Sequence, residues 1–143
     1  MTIIAWDGKV LAGDRLGDAG GLARSTTKVI KFAGGLYGSC GSSSAAVEML
    51  EWIKAGENPE TCPAYQRTDD YQGIILVRPD RSVWVWGRGP YPFRMEDPFT
   101  AMGSGRDFAI AAMYLGKDAI DAVKIANKFD TGCGMGVDSV TFG

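Results

Sequence analysis

The stretch Thr2-Ile3-Ile4-Ala5-Trp6-Asp7-Gly8-Lys9-Val10-Leu11-Ala12-Gly13-Asp14 decides the fold. Thr2 to Trp6 is short, apolar and partly β-branched. Asp7-Gly8 is a strong hairpin turn, and Lys9 to Asp14 resumes in extended style. With the turn centred on Gly8, antiparallel register sets Thr2 opposite Asp14. One hairpin later, Lys28 starts a further strand in Thr26-Thr27-Lys28-Val29. A buried Lys beside a hydroxyl and an amine would lower their pKa values by its charge, with Asp14 to hold it in place. Taken alone, the two charges read equally as a surface ion pair worth little.

Working outward, Arg15 to Ser25 reads as a polar, Gly-rich loop. Thr27 to Phe32 and Leu36 to Cys40 read as strands joined at Gly34-Gly35. Ser42 to Ser44 supply capping hydroxyls for a helix marked by Ala46, Val47, Leu50, Ile53 and Lys54 and closed by Gly56. Residues 57–70 are polar and irregular. Gly73 to Arg78 and Ser82 to Gly87 are strands, the second alternating Val83 and Val85 with Trp84 and Trp86. Gly89 to Pro98, with three prolines, is an edge or loop. The two tryptophans, with Tyr91 and Phe93, read either as an aromatic binding face or as core and subunit contact.

Phe99 to Met102 is a short strand running into Gly103-Ser104-Gly105. One helix follows with Phe108, Ala111, Ala112 and Leu115 on a face. A second, capped by Asp118, spaces Ile120, Val123 and Phe129 for one face. Gly134 to Phe142 alternates like a final strand. The order ββββ-α-ββ-β-αα-β predicts an α+β fold of two antiparallel sheets between helices, a four-layer α/β/β/α sandwich, as one domain over residues 1–143.

Composition narrows the chemistry. The 143 residues are 45% apolar, with 15 basic against 17 acidic side chains. Such a chain can bury a core without staples. Its charge balance points to neither nucleic acid nor an anionic membrane, and no apolar run approaches the roughly 18 residues of a membrane span. Met1-Thr2-Ile3-Ile4 lacks the marks of a secretory signal. Cys40, Cys62 and Cys133 form no C-x-x-C pair, so reduced thiols and a cytoplasmic setting are expected. Histidine is absent. That excludes Ser-His-Asp and Cys-His machinery and any His-ligated metal site.

Other motifs are negative. Gly103-Ser104-Gly105-Arg106-Asp107-Phe108 begins like a dinucleotide fingerprint, but Phe108 stands at the third glycine. No phosphate-binding G-x-x-x-x-G-K-[ST] and no G-x-S-x-G elbow exist. A hydrolase without histidine can still activate a hydroxyl on its first residue, because a free α-amine titrates near 8 and takes the proton directly or through water. Thr2 is small enough to permit removal of Met1, although Thr at position two is common.

Thr2-Ile3, Ala12-Gly13-Asp14-Arg15, Lys28-Val29, Gly38-Ser39-Cys40-Gly41, Gly103-Ser104-Gly105 and Asp130-Thr131-Gly132-Cys133-Gly134, in this order and spacing, resemble the proteasome-type N-terminal nucleophile (Ntn) hydrolases. The likeness runs over nearly the whole chain and is nearest to bacterial proteasome-like peptidases and their short phage-borne relatives. It implies the Ntn-hydrolase fold and a threonine peptidase that acts through an acyl-enzyme and needs no cofactor or metal. Thr2 would be the nucleophile and its amine the base. Lys28 would tune the pair, Asp14 would orient Lys28, and the Gly38 N–H would hold the oxyanion. Ser104, flanked by Gly103 and Gly105, would bond the amine and a catalytic water, with Asp130 fixing the amine. Cys133 stands where the family usually has serine, and Cys40 would line the first specificity pocket.

The resemblance further implies peptide or unfolded-protein substrates and a homo-oligomer, as a ring or similar assembly. Residues 57–70 replace a second helix, which leaves partnership with an ATPase unfoldase open. Two rival readings stay in view: an inactive proteasome-like assembly protein, in which retained Met1 caps the amine, and an Ntn amidohydrolase acting on a small amide.

Overall fold

A computed structural model describes residues 2–63 and 73–143. Met1 and residues 64–72 lie outside the described residues, and with them the expectations on Met1 removal and on most of the irregular 57–70 segment. Before that gap, Pro59–Thr61 forms a single 3-10 turn.

The opening hairpin pairs β1 (Ile4–Trp6) with β2 (Val10–Asp14). Asp7 builds the turn: its Oδ1 accepts from the Lys9 and Val10 N–H groups at 2.8 and 2.7 Å. Its own N–H donates to the Val10 carbonyl at 3.2 Å, which leaves a two-residue Gly8-Lys9 turn. The register is therefore Ile4↔Gly13, Ala5↔Ala12 and Trp6↔Leu11. This is one residue off the expected pairing. The turn is centred between Gly8 and Lys9, so Ile3, and not Thr2, lies beside Asp14.

Arg15 to Ser25 is not a loop. It forms a hairpin of β3 (Leu16–Ala19) and β4 (Leu22–Ser25), whose Gly20-Gly21 turn has φ of +62° and +85°. Two successive positive φ values are what a tight hairpin turn demands and what glycine supplies. The apolar alternation that would betray these strands is missing because β4 is exposed along its whole length.

Next come β5 (Val29–Phe32), β6 (Gly35–Cys40), α1 (Ser43–Lys54), β7 (Gly73–Val77), β8 (Val83–Trp86) and β9 (Phe93–Met95). They are followed by β10 (Thr100–Met102), α2 (Arg106–Tyr114), α3 (Ala119–Phe129) and β11 (Val137–Thr141). One sheet runs β10-β1-β2-β11 and the other β5-β6-β7-β8-β9, with every pairing antiparallel. Three apolar layers separate the parts. Ile4, Leu11, Val29, Leu36 and Ile75 fill the space between the sheets. Ile3, Ala5 and Ala12 pack under α2 and α3, and Tyr37, Ile74 and Trp86 pack under Met49 and Trp52 of α1. The α/β/β/α sandwich is thereby observed.

The helices begin as their caps predict, Ser42 accepting from Ala45 N–H and Asp118 from Asp121 N–H. Their buried faces follow the expected spacing only in part: Ile53, Ala112 and Val123 turn inward and Ile120 packs against the core, whereas Phe108, Leu115 and Phe129 do not. In α1 the inward residues are Ala45, Met49, Trp52 and Ile53. In α2 and α3 they are mostly alanines: Ala109, Ala112 and Met113, and Ala119, Ala122, Val123 and Ala126. Small side chains let the helices lie close to the sheet. Phe108 and Phe129 are instead exposed at 41% and 61% and stack on each other outside, 6.0 Å between centroids. Of the aromatic cluster, Trp86 is buried and Trp84 half-buried, while Tyr91 and Phe93 are exposed at the β9 edge.

Candidate active site

Three polar side chains are buried where the two sheets meet. Thr2 is 3% exposed, Asp14 0% and Lys28 9%. Buried charges persist only when paired and hydrogen-bonded, and here they are. Lys28 Nζ lies 2.9 Å from Asp14 Oδ1 and donates to Thr2 Oγ1 at 3.0 Å. Asp14 also accepts from the N–H groups of Ile3 (3.1 Å), Leu16 (3.2 Å) and Gly134 (3.1 Å). One carboxylate thus ties together β1, the base of the β3–β4 hairpin, the loop before β11 and the approach to β5.

A second group surrounds the Thr2 backbone. Its nitrogen donates to Ser104 Oγ at 3.2 Å, and its carbonyl accepts from Gly105 N–H at 3.2 Å. Gly103 makes this approach feasible: it has φ of +100°, and a Cβ there would fall 2.1 Å from the Thr2 carbonyl oxygen. The Ser104 hydroxyl, followed by the Gly132 N–H, holds the Asp130 carboxyl below the usual carboxylate range. The Gly132 N–H lies 2.8 Å from Asp130 Oδ1. Cys133 Sγ donates to Asp130 Oδ2 at 3.4 Å and lies 3.8 Å from Ser104 Oγ. Burial, then the charge of Asp14, pushes its thiol up to about 12. It is a neutral donor at any physiological pH.

A cavity of about 700 Å³ opens beside Thr2 and Lys28. Ile30, Tyr37 and Ser39 of the second sheet, Ala46, Val47 and Leu50 of α1, residues of the β3–β4 hairpin, and Thr131 and Gly132 line it.

The structure thus gathers Thr2, Asp14, Lys28, Ser104, Asp130, Cys133, Gly103 and Gly105. Two expected residues do not join them. Gly38 sits inside β6, paired with Val29 on one side and Ile75 on the other. Its backbone is committed to the ladders, and a Cβ there would meet Ile4 Cγ2 at 2.9 Å in the inter-sheet core. Cys40, two residues on, points into the same core and is 5% exposed; burial raises its thiol pKa. Successive strand residues face opposite ways, so Ser39 lines the cavity in place of Cys40. Gly41, just before the Ser42 cap of α1, lines it too. Its sequence signal was a glycine directly ahead of a capping serine. Among the described residues, no three His, Cys, Asp or Glu side chains gather to hold a metal ion, and no helix is long and apolar enough to cross a membrane.

No protein-family model and no curated protein sequence matches the chain. Solved structures do. A eukaryotic HslV from Trypanosoma brucei is similar with a TM-score of 0.72 at 21% identity, over 97% of each chain. BPH of Thiobacillus denitrificans, a bacterial proteasome homologue in complex with epoxomicin, gives 0.71 at 18% identity, over 97% of this chain and 96% of that one. A Gly-1 mutant of Anbu from Hyphomicrobium sp. strain MC1 gives 0.73 at 12% identity, over 99% and 82%. The chain has the fold of HslV/proteasome-type Ntn peptidases.

Proposed function

We propose that the chain is a threonine-type amide hydrolase, acting on peptides, whose nucleophile is the Thr2 hydroxyl once Met1 is removed. The observation that carries this reading is the Lys28 ammonium, held by buried Asp14 and donating to Thr2 Oγ1. An ordinary surface ion pair would not be buried, nor aimed at a hydroxyl beside a cavity.

In this reading the freed Thr2 amine takes the hydroxyl proton, directly or through water, while the Lys28 charge favours the ionised oxygen. Oγ1 attacks the scissile carbonyl. The oxyanion is held by backbone N–H at the start of α1, where Gly41 takes the part first given to Gly38. Collapse breaks the C–N bond, the leaving amine takes the proton, and an ester remains on Thr2. Water then hydrolyses the ester, returning the hydroxyl. Ser104 relays between the amine and Asp130 and orients this water, and Cys133 supports Asp130 as serine would. The exposed Phe108–Phe129 stack, with Tyr114 and Leu115 at 79% and 80% exposure, fits subunit contacts in a homo-oligomer that encloses the sites.

The test is intact mass of the purified protein with and without a β-lactone or epoxyketone. Loss of Met1 and one adduct, absent in Thr2→Ala, is expected. Retained Met1 and no adduct would move the reading to an inactive assembly protein.

A further inference from the structure

Arg15 follows Asp14 directly in the chain and has no part in the chemistry proposed for Thr2. Its contacts lead to the segment between α3 and β11, which carries Asp130, Cys133 and Gly134. The Arg15 N–H donates to the Gly134 carbonyl at 2.9 Å, and its guanidinium pairs with Asp138 Oδ2 on β11. Between these anchors its stem runs past Gly136, where a Cβ would lie 3.9 Å from Arg15 Cδ. Arg15 is itself fixed, because its carbonyl accepts from the Thr26 N–H at 2.8 Å.

The turn that Arg15 spans is strained. Met135 and Gly136 follow one another with φ of +64° and +98°. A residue with a side chain persists in the left-handed region only where its surroundings hold it there. Arg15 holds this turn from one side, and Asn127 of α3 from the other, its Nδ2 donating to the Gly136 carbonyl at 3.1 Å. β11 lies at the edge of its sheet, paired with β2 alone among the described residues. What the turn carries matters at Thr2: the Gly134 N–H donates to Asp14 Oδ2 at 3.1 Å, and Asp14 Oδ1 accepts from Lys28 at 2.9 Å. A turn that relaxed would draw Gly134 off Asp14 and loosen Lys28 with it. Both side chains of the Arg15–Asp138 pair are 29% exposed, so the pair contributes little to stability as such.

We propose, resting on the hydrolase reading above, that Arg15 and Asp138 are positioning residues for Thr2. Their ion pair latches the Met135-Gly136 turn in its strained form, which keeps the Gly134 N–H on Asp14, Asp14 on Lys28 and Lys28 on the Thr2 hydroxyl. Neither residue lines the cavity beside Thr2, so both act through the turn and not on the substrate.

The experiment uses the full chain with Met1 removed and times β-lactone labelling of Thr2 by intact mass over a range of probe concentrations. Arg15→Met keeps the stem and removes the charge, and Asp138→Ala removes its partner. Each should lower the limiting rate per labelled site by about tenfold to a hundredfold, the scale for slightly misplaced reacting groups. The half-saturating probe concentration should stay unchanged. A merely structural role would lower the fraction of sites that label and leave that rate at the parent value. The double variant should be no slower than the slower single one, because both changes open one latch. Amide exchange reads the route: in Asp138→Ala the Gly134 N–H should exchange about tenfold faster, while the β6–β7 ladder keeps its parent rates. Slower labelling with Gly134 exchange unchanged overturns this route. Parent labelling rates in both variants overturn the positioning role and leave the hydrolase reading standing. No label on the parent chain sinks the hydrolase reading, and the positioning role with it.

Discussion

Lys28 Nζ lies 3.0 Å from Thr2 Oγ1, in a place where neither residue is more than 9% exposed. A flexible ammonium is held against a hydroxyl because Asp14, which accepts from it at 2.9 Å, is itself fixed by three backbone N–H donors. If that contact activates the hydroxyl, Lys28→Met slows β-lactone labelling of Thr2 by about 10²–10⁴-fold, the range for a lost acid–base contributor. Thr2→Ser keeps labelling and Thr2→Ala abolishes it. Labelling of Lys28→Met at the wild-type rate, timed by intact mass, would reduce Lys28 to a structural ion.

Asp14 carries a separate structural burden. Asp14→Ala leaves a buried ammonium and buried N–H groups without their acceptor, and should cost about 3–5 kcal/mol in urea unfolding. The pair is coupled, so Asp14→Ala combined with Lys28→Met should lose less than the sum of the single changes. Strict additivity would mean that the two groups do not sense each other.

Gly103 is required for its shape. In Gly103→Ala the new methyl meets the Thr2 carbonyl oxygen at 2.1 Å while φ stays at +100°. Strain and overpacking each contribute about 1–3 kcal/mol. Gly56 has φ of +109° with nothing within 4 Å, so Gly56→Ala reports the strain alone. The excess loss in Gly103→Ala, read from paired denaturation midpoints, measures the close approach. Equal losses would count against it.

Cys133 gives the alkaline response its sign. Its thiol sits at about 12 in the folded chain against an ordinary value of 9.0. Between those pH values the unfolded chain has released a proton that the folded chain keeps, so stability falls as pH rises through this window and is untouched below it. Cys133→Ser should flatten the fall between pH 9 and 11 in thermal unfolding, while keeping a donor to Asp130 and hence Thr2 labelling. A slope as steep as that of the parent would place the titration elsewhere.

The local statements in the chain were legible because they are local. Asp7-Gly8 announces a turn, and Ser42 and Asp118 announce helix starts. The cluster of Thr2, Asp14 and Lys28 also follows from short-range geometry, since two hairpins bring the three together even with the first register one residue off. The β3–β4 hairpin was hidden because strands with no buried face carry no alternation to read.

What the sequence by itself determined is the four-layer order and the set of polar residues that meet at Thr2. Tertiary structure alone decided which side of each element faces inward. Alternation shows that Ser39 and Cys40 point opposite ways, but not which of them meets the cavity. That depends on how the two sheets stack, which placed Cys40 and Gly38 in the core and gave the site Ser39 and Gly41. The helices behave likewise: mostly alanines, with Met113 and Val123, went inward and Phe108 and Phe129 outward, because close approach to the sheet favours small side chains. Facing is a property of the packed whole, and no neighbouring residue encodes it.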